Sequence, residues 1–507
     1  MSARLRRQAE KKRIGEKLPL LVQPRPRRYL WRAHPSERGA AMRKTTWILM
    51  VALAFGLAAC DDGAPADGDA GPGDAGSSGF ENADCDDFDT ANCVRVEGGD
   101  AQGLLDAVNT IDSDTTIVLG AGTFELSNQV TIRGVNTLNL VGQGMDETIL
   151  AFTSATSQIN GVDVIADGFL VQDLTVLDAP KDGIRVEDSD GVTFRRIKAT
   201  WSEPGLSTNG AYGIYPVRSL NVLVEDSVAE RSSDAGLYVG QCINVVVRNN
   251  IVRENVAGLE IENTQYADVY GNLAENNTAG IVAFDLPGNP VVGRDVRLRD
   301  NMILNNNHEN FAPGGTVALI PPGTGTFALA SRRIEITGNT YTGNQTGDIA
   351  VLSGLAIEEA SVWELETSTL VGDWEDLGLL EGATPGTVTN FRTENVVISG
   401  NTHTDGGLAP EPHGDFGVLI RILFQEDPVP SVIYDSIGEE FSTDPTMHTN
   451  VNRICVGGNT GGTGVASLDV PSQLLSPMSP ILVVADAPFA PFDCTTIEGD
   501  PIVVPTF

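Results

Sequence analysis

Residues 213–288 read GIYPVRSLNVLVEDSVAERSSDA, GLYVGQCINVVVRNNIVRENVA, GLEIENTQYADVYGNLAENNTA and GIVAFDLPG. These segments begin at Gly213, Gly236, Gly258 and Gly280, so the repeat recurs after 23, 22 and 22 residues. A complete repeat holds an alternating apolar strand, a turn, a second short strand and a polar turn. One such repeat cannot bury its apolar face alone and must stack on its neighbours. The stretch therefore predicts an all-β solenoid.

Two columns of the repeat define the inner and outer sides of the solenoid wall, because side chains alternate between the two faces of a strand. The apolar residues after each glycine then point inward: Ile214, Leu237, Leu259 and Ile281. The residues that follow them point outward: Tyr215, Tyr238, Glu260 and Val282.

A third column places an asparagine at the end of the next strand. Its members are Asn250, Asn272, Asn301, Asn339, Asn401 and Asn459. Identical amides stacked at the spacing of parallel strands can hydrogen-bond along the axis, so we expect an asparagine ladder.

The N-terminal region divides into three parts before the solenoid. We expect residues 1–41 to be either an over-called start, with Met42 as the true first residue, or a basic extension. Residues 42–59 read MRKTTWILMVALAFGLAA, with a basic start and a short apolar core. This stretch resembles a bacterial lipoprotein signal whose lipobox ends at Cys60, which implies a lipid-anchored protein of the cell envelope, at the periplasmic face or the cell surface. A plain secretory signal is the alternative. We expect residues 60–99 to be an acidic tether and 100–507 to be the solenoid.

Charge narrows the range of partners. Residues 1–59 hold 14 of the 33 basic and 3 of the 68 acidic residues, so the remaining chain has 19 basic and 65 acidic residues, a formal charge of −46. This charge excludes nucleic acid as a partner. We expect no metal site and no cofactor, and calcium is the one ion that this interpretation leaves open.

Cysteine usage fits an oxidising compartment. Cys85 and Cys93 are eight residues apart, and Cys455 with Cys494 would staple the C-terminal end. We expect both disulfides, although the sequence alone does not decide the connectivity.

Other segments modify the repeat. Residues 101–110, AQGLLDAVNT, have the pattern of a short amphipathic helix that would cap the first rung. Long insertions are expected near 353–392 and 405–450, each interval holding one rung plus extra residues or two or more degenerate rungs. Aromatic side chains such as Trp363 and Trp374 could stack sugars there or simply cover the wall.

Residues 115–152, TTIVLGAGTFELSNQVTIRGVNTLNLVGQGMDETILAF, resemble the entry rungs of pectin-lyase-like right-handed parallel β-helix proteins. Residues 201–315 are similar to a family of exported bacterial parallel β-helix repeat proteins, often lipoproteins, with no established activity. The resemblance implies a single-stranded right-handed parallel β-helix. It also implies a possible envelope partner, because members tend to be encoded beside an exported protein similar to a c-type cytochrome.

No complete catalytic motif of such enzymes is present, so we leave open whether the chain is a polysaccharide lyase, epimerase or hydrolase. The segment Glu411-Pro412-His413-Gly414-Asp415 departs at two positions from the DPHD motif of mannuronan epimerases. A histidine beside a carboxylate could act as a general base. The weak catalytic candidates are His308, Glu309, His413 and Asp415.

The better candidate is a surface for ligand binding. An outward stripe and its edge would hold Arg185, Tyr215, Arg218, Tyr238, Glu260, Glu262 and Asp285. Aromatic rings one rung apart could hold an extended glycan against the wall. We therefore expect a carbohydrate-binding or polysaccharide-modifying protein. The main alternative is a noncatalytic scaffold for an exported partner protein. A third, less favoured function is an accessory role for a metal centre or in redox chemistry.

Overall fold

The computed structural model describes residues 79–375, 377, 384–425, 428–435, 449–462, 464–468, 482–484 and 492–507. They belong to one compact unit, Gly63–Phe507. The predicted signal segment and Cys60 lie outside the described residues. No helix within the described ranges is long and apolar enough to cross a bilayer.

The described part of the chain is built almost wholly from short strands. These are β1 (Asn92–Val96), β2 (Thr115–Leu119), β3 (Gly122–Glu125), β4 (Val130–Arg133), β5 (Leu138–Val141), β6 (Thr148–Ala151), β7 (Val162–Ile165), β8 (Phe169–Leu177), β9 (Asp182–Glu187), β10 (Asp190–Thr200), β11 (Tyr212–Val217), β12 (Leu220–Glu225), β13 (Val228–Glu230), β14 (Ala235–Gly240), β15 (Ile243–Arg248), β16 (Ile251–Arg253), β17 (Ala257–Glu262), β18 (Gln265–Tyr270), β19 (Leu273–Glu275), β20 (Ala279–Phe284), β21 (Arg294–Arg299), β22 (Met302–Leu304), β23 (Thr324–Leu329), β24 (Arg332–Thr337), β25 (Thr340–Thr342), β26 (Gly347–Leu352), β27 (Glu364–Glu366), β28 (Thr387–Thr389), β29 (Glu394–Ser399), β30 (Thr402–Thr404), β31 (Val432–Asp435), β32 (Ile454–Gly457), β33 (Val465–Leu468) and β34 (Leu482–Val484). The helices are α1 (Ala101–Thr110) and α2 (Gly414–Leu423).

The strands form a parallel β-helix. A 12-stranded sheet, sheet B, runs in the order β4, β7, β9, β11, β14, β17, β20, β23, β26, β31, β33 and β34. All its neighbours pair in parallel except β33 with β34. The remaining rung strands form a 20-stranded sheet, sheet A. The predicted solenoid is confirmed, and each rung adds a strand to sheet B before returning to sheet A.

The predicted inward column forms the core. Ile214, Leu237, Leu259 and Ile281 are fully buried within one apolar cluster that runs through the solenoid. Their partners follow the repeat, because Leu237 pairs with Leu259 and Leu259 with Ile281 in adjacent strands. The core is thus continuous from rung to rung, which is why a single repeat could not fold alone.

The predicted asparagine ladder is present. The side-chain amide of Asn250 donates to Asn272, and the same contact continues through Asn301, Asn339 and Asn401 to Asn459. A second ladder, which we did not predict, links Asn255, Asn277, Asn306 and Asn344. Each member lies five residues after a member of the first ladder, so the signal was present in the sequence.

The N-terminal end needs one correction. The capping helix α1 is present, and its Leu104 and Val108 are buried against the first rungs. Residues 60–99, however, are not all tether, because β1 pairs in parallel with β2 and is the first strand of sheet A. In the structure, disulfides join Cys85 to Cys93 and Cys455 to Cys494.

The two insertions have different structures. Asn339 bonds directly to Asn401, so the first interval holds one rung plus an insertion. That insertion carries the antiparallel pair β27–β28. The second contains α2, but β31, inside the expected range 405–450, pairs with β26 as a rung of sheet B. Trp363 is fully buried, which agrees with covering the wall and not with stacking a sugar.

Candidate functional site

The candidate site lies on the outer face of sheet B, where the outward column crosses consecutive strands. Arg185 of β9 is opposite Tyr215 of β11, and Tyr238 of β14 is opposite Glu260 of β17. Neighbouring strands in a sheet are about 4.8 Å apart. The expected stripe of Arg185, Tyr215, Tyr238 and Glu260 is therefore present as a row.

Three tyrosines pack together at the centre of this row. The ring centroids of Tyr212 and Tyr215 are 4.6 Å apart, those of Tyr212 and Tyr238 are 4.6 Å apart, and those of Tyr215 and Tyr238 are 4.8 Å apart. Offset and edge contacts of this kind are the favoured geometries for aromatic pairs. Tyr212 and Tyr215 are partly exposed, so this part of the cluster reaches solvent.

Sequence reasoning missed Tyr212 because the alternation breaks at the repeat glycine. A Cβ atom on Gly213 would point toward the core, 3.2 Å from Ala199 and 3.4 Å from Ala229. Gly213 and Ile214 thus both face inward, and the residue before the glycine turns outward. The overlooked signal was the column of repeat glycines, because a glycine inside a strand often marks a bend.

The outward stripe is less exposed than expected. Tyr238 is only 4% exposed and Glu260 only 1%. The Tyr238 ring lies over Gly240, where an added Cβ atom would be 2.3 Å from the ring. Tyr238 belongs to a second packed layer outside the wall, so its side chain contributes to the folded structure as well as to the site.

Three carboxyl groups, those of Asp234, Glu260 and Glu262, lie among the tyrosines. We call these residues, together with Tyr212, Tyr215 and Tyr238, the tyrosine–carboxyl cluster. Burial raises the pKa of Glu262 to about 7, although hydrogen bonds from Tyr238 and Asn289 favour its charged form. Burial likewise raises the pKa of Asp234 to about 7, while Tyr212 hydrogen-bonds to its side chain. Both carboxyl groups thus titrate near neutral pH.

Glu260 has the least compensated environment in the cluster. Burial, with Asp234 and Glu262 nearby, raises the pKa of its carboxyl group well above the usual value. Its Oε1 atom has no hydrogen-bond partner among the described residues. A buried polar atom without a partner is costly, so this oxygen lowers the stability of the folded chain.

The arginines of the predicted stripe already have carboxylate partners. Arg185 lies 2.6 Å from Glu187, and its guanidinium carbon is 5.8 Å from the centroid of the Tyr215 ring. Arg218 pairs with Glu187 and, at 2.9 Å, with Asp188. Because these positive charges are neutralised locally, the site does not attract an anionic ligand as strongly as free arginines would.

Asp285, predicted at the edge of the site, is a structural anchor. Its Oδ2 atom accepts hydrogen bonds from the Gly293 amide at 2.7 Å and from the Asn390 side chain at 2.5 Å. Asn390 in turn accepts a bond from Arg332. Burial raises the pKa of Asp285 to about 7. Asp285 therefore joins the first insertion to the wall.

The weak catalytic candidates do not form one constellation. His308 Nδ1 is 2.8 Å from the main-chain oxygen of Glu309, whose side chain is exposed. His413 Nε2 is 2.8 Å from the main-chain oxygen of Ala318. Asp415 is exposed in the first turn of α2. Within the described part of the chain, neither histidine side chain bonds to its predicted carboxylate neighbour.

Metal binding gains no support from the described residues. No group of three or more His, Cys, Asp or Glu side chains in the described ranges is arranged to hold a metal ion. Two carboxyl groups of the cluster instead bond to tyrosine and asparagine side chains, Asp234 to Tyr212 and Glu262 to Tyr238 and Asn289.

Comparison with known proteins supports the fold. A family model described as "Right handed beta helix region" matches residues 127–294 and 182–360. No curated protein matches the sequence significantly.

Several solved structures are similar to the chain. The A-module of mannuronan C-5 epimerase AlgE4 from Azotobacter vinelandii is 14% identical, with 69% of this chain and 93% of that chain covered and a TM-score of 0.38. The catalytic unit of a GH87 alpha-1,3-glucanase from Streptomyces thermodiastaticus is 15% identical, with 67% and 48% covered and a TM-score of 0.38. An N-terminal fragment of bacteriophage Phi29 gene product 12 is 12% identical, with 73% and 64% covered and a TM-score of 0.39. Sequence identities and TM-scores this low carry no information about the function of this chain.

Proposed function

Because the chain is a right-handed parallel β-helix protein, we propose that the tyrosine–carboxyl cluster binds an uncharged polysaccharide or oligosaccharide. The observation that carries the proposal is the combination of partly exposed tyrosines with a buried carboxyl oxygen that has no partner in the described part of the chain. Aromatic faces pack against the apolar faces of sugar rings, and a few convergent polar groups orient the ligand.

The charges of the site favour a neutral ligand. Arg185 and Arg218 are occupied by carboxylates, and the groups next to the rings are acids. A uronate polymer would bring further negative charge against these acids, which costs free energy in a poorly solvated site. Sugar hydroxyl groups, in contrast, can donate hydrogen bonds to the free oxygen of Glu260.

Chemical modification of the glycan is the second step of the proposal. An acid whose pKa lies near the working pH is suited to proton transfer, and Asp234 and Glu262 both have a pKa of about 7. Two such groups beside a free carboxyl oxygen could protonate a leaving group or remove a proton. This favours a polysaccharide-modifying enzyme over a purely binding protein.

Binding to an array of neutral glycans tests the proposal. Tyr215→Ala should weaken binding by about 5- to 150-fold, the equivalent of roughly 1–3 kcal/mol for a lost aromatic contact. Tyr270→Ala is the matched control, since Tyr270 lies on sheet A beneath the guanidinium of Arg299. Equal binding by wild type and Tyr215→Ala would remove the cluster from the site.

Anchoring to a cell-envelope membrane through lipidated Cys60 remains part of the proposal, supported by the apolar stretch that ends in the lipobox. The alternative function is a scaffold for an exported partner, for example one similar to a c-type cytochrome. The scaffold would bind such a protein with no response to glycans, and Tyr215→Ala would leave that affinity unchanged if the partner used another face.

A further inference from the structure

A cavity of about 160 Å³ lies farther along the outer face of sheet B. Its floor is formed by outward side chains of three strands, β20, β23 and β26: Val282, Phe284, Phe327, Leu329 and Leu352. These residues are buried and belong to the packed layer outside the wall. The floor of the cavity is therefore apolar throughout.

Segments distant in sequence form the other sides. The turn Val317–Leu319 contributes Val317 and Leu319, and the first insertion contributes Ala356 and Ile357. Phe416 of α2 closes another side, its ring centroid 6.4 Å from that of Phe327. Separate segments thus converge around a space that their side chains leave unfilled.

The dimensions of the cavity restrict its occupant. An apolar cavity of about 150 Å³ stays dry and accepts a molecule of the size of benzene. A peptide segment or a helix is far larger, so no whole segment fits into this space. The space instead matches one aromatic ring or a short branched acyl group.

The polar residues of the lining restrict the occupant further. Two lining residues are polar, Thr316 and Asp415, and Asp415 is exposed. A carboxylate at the mouth repels an anion and attracts a cation. The chemistry therefore disfavours a free fatty acid and favours a neutral or positively charged molecule.

From this geometry we infer that the cavity is a binding site for a small apolar group carried on a neutral or cationic molecule. The site is separate from the tyrosine–carboxyl cluster. It adjoins the cluster in register, since Glu260 pairs with Val282 and Glu262 with Phe284 across one strand boundary. A ligand larger than one ring could reach both, but the inference holds whether or not the cluster binds a glycan.

Thermal unfolding of the full chain with toluene as the probe tests this site. At a tenfold excess over its dissociation constant, toluene should raise the unfolding midpoint of the wild type by about 2 °C. Ala356→Phe, which fills the cavity, should abolish the shift, and Ile357→Phe is a second filling variant should the first fail to fold. Ala312→Phe is the matched control, because Ala312 packs on the same layer but does not line the cavity.

A charged pair of probes tests the role of Asp415. n-Butylammonium should bind at least threefold more tightly than butyrate, and Asp415→Asn should remove that difference. The inference is overturned if toluene leaves the wild-type midpoint unchanged, if a folded filling variant keeps the full shift, or if butyrate binds as well as n-butylammonium.

Discussion

Replacement of Glu262 by glutamine should flatten the pH dependence of stability. Burial raises the pKa of this carboxyl group from its usual 4.5 to about 7. Between these two values the folded protein keeps the proton while the unfolded chain releases it. The free energy of unfolding therefore falls as pH rises through this window, and it changes little from this group below or above it.

The magnitude follows from the size of the shift. Each unit of pKa difference corresponds to about 1.4 kcal/mol, so Glu262 alone makes the wild type roughly 3 kcal/mol less stable at pH 8 than at pH 4. Glutamine has nearly the same shape, and its amide can accept a bond from Asn289 through its oxygen and donate one to the Tyr238 hydroxyl through its NH₂ group. The free energy of unfolding of Glu262→Gln should therefore lack this part of the pH dependence. Relative to the wild type, the variant should be more stable at pH 8 than at pH 4.

Urea unfolding at pH 4, 6 and 8 measures the effect. Glu309→Gln removes an exposed carboxyl group and should leave a curve parallel to that of the wild type, which corrects for the general repulsion of an acidic protein. If Glu262→Gln retains the full wild-type slope between pH 4 and pH 8, the burial argument for this carboxyl group is wrong.

Three other variants test the fold and the anchor. Leu259→Asp should prevent folding because it places a charge in the fully buried core, whereas Leu206→Asp, at a side chain that is 44% exposed, should fold; circular dichroism reports both. Asn277→Ala should cost about 3 kcal/mol or more in urea unfolding, since it removes bonds to Asn255, Asn306 and the main chain; a loss as small as that of the exposed Asn109→Ala would contradict the ladder's role. Cys60→Ser should move the native protein from the detergent phase to the aqueous phase, and unchanged partitioning would exclude lipidation.

The sequence was most informative where structure depends on neighbouring residues. The inward column of Leu237 and Leu259 and the first asparagine ladder follow from the repeat period, because every rung has nearly the same surroundings. The second ladder was equally visible, five residues farther along each rung, and was overlooked. Helix α1 followed from its amphipathic pattern.

The candidate site was harder to predict because it depends on how the outward side chains of successive rungs pack against one another. Alternation gave the direction of Tyr238 and Glu260, but not their burial, because it does not show which side chains pack on the outer face of the wall. The expectation that the stripe is exposed was therefore wrong for Tyr238 and Glu260. The inner glycine before Ile214 concealed Tyr212, and the partners of Arg218 became visible only once the rungs were stacked.

A crystal structure with a neutral oligosaccharide that binds in solution is the most direct measurement of the central claim, that the tyrosine–carboxyl cluster is a glycan site. The account predicts a sugar ring packed on Tyr212 and Tyr215, with one hydroxyl group within hydrogen-bond distance of Glu260. An oligosaccharide seated on sheet A, or on the insertions with the tyrosine rings untouched, would contradict it.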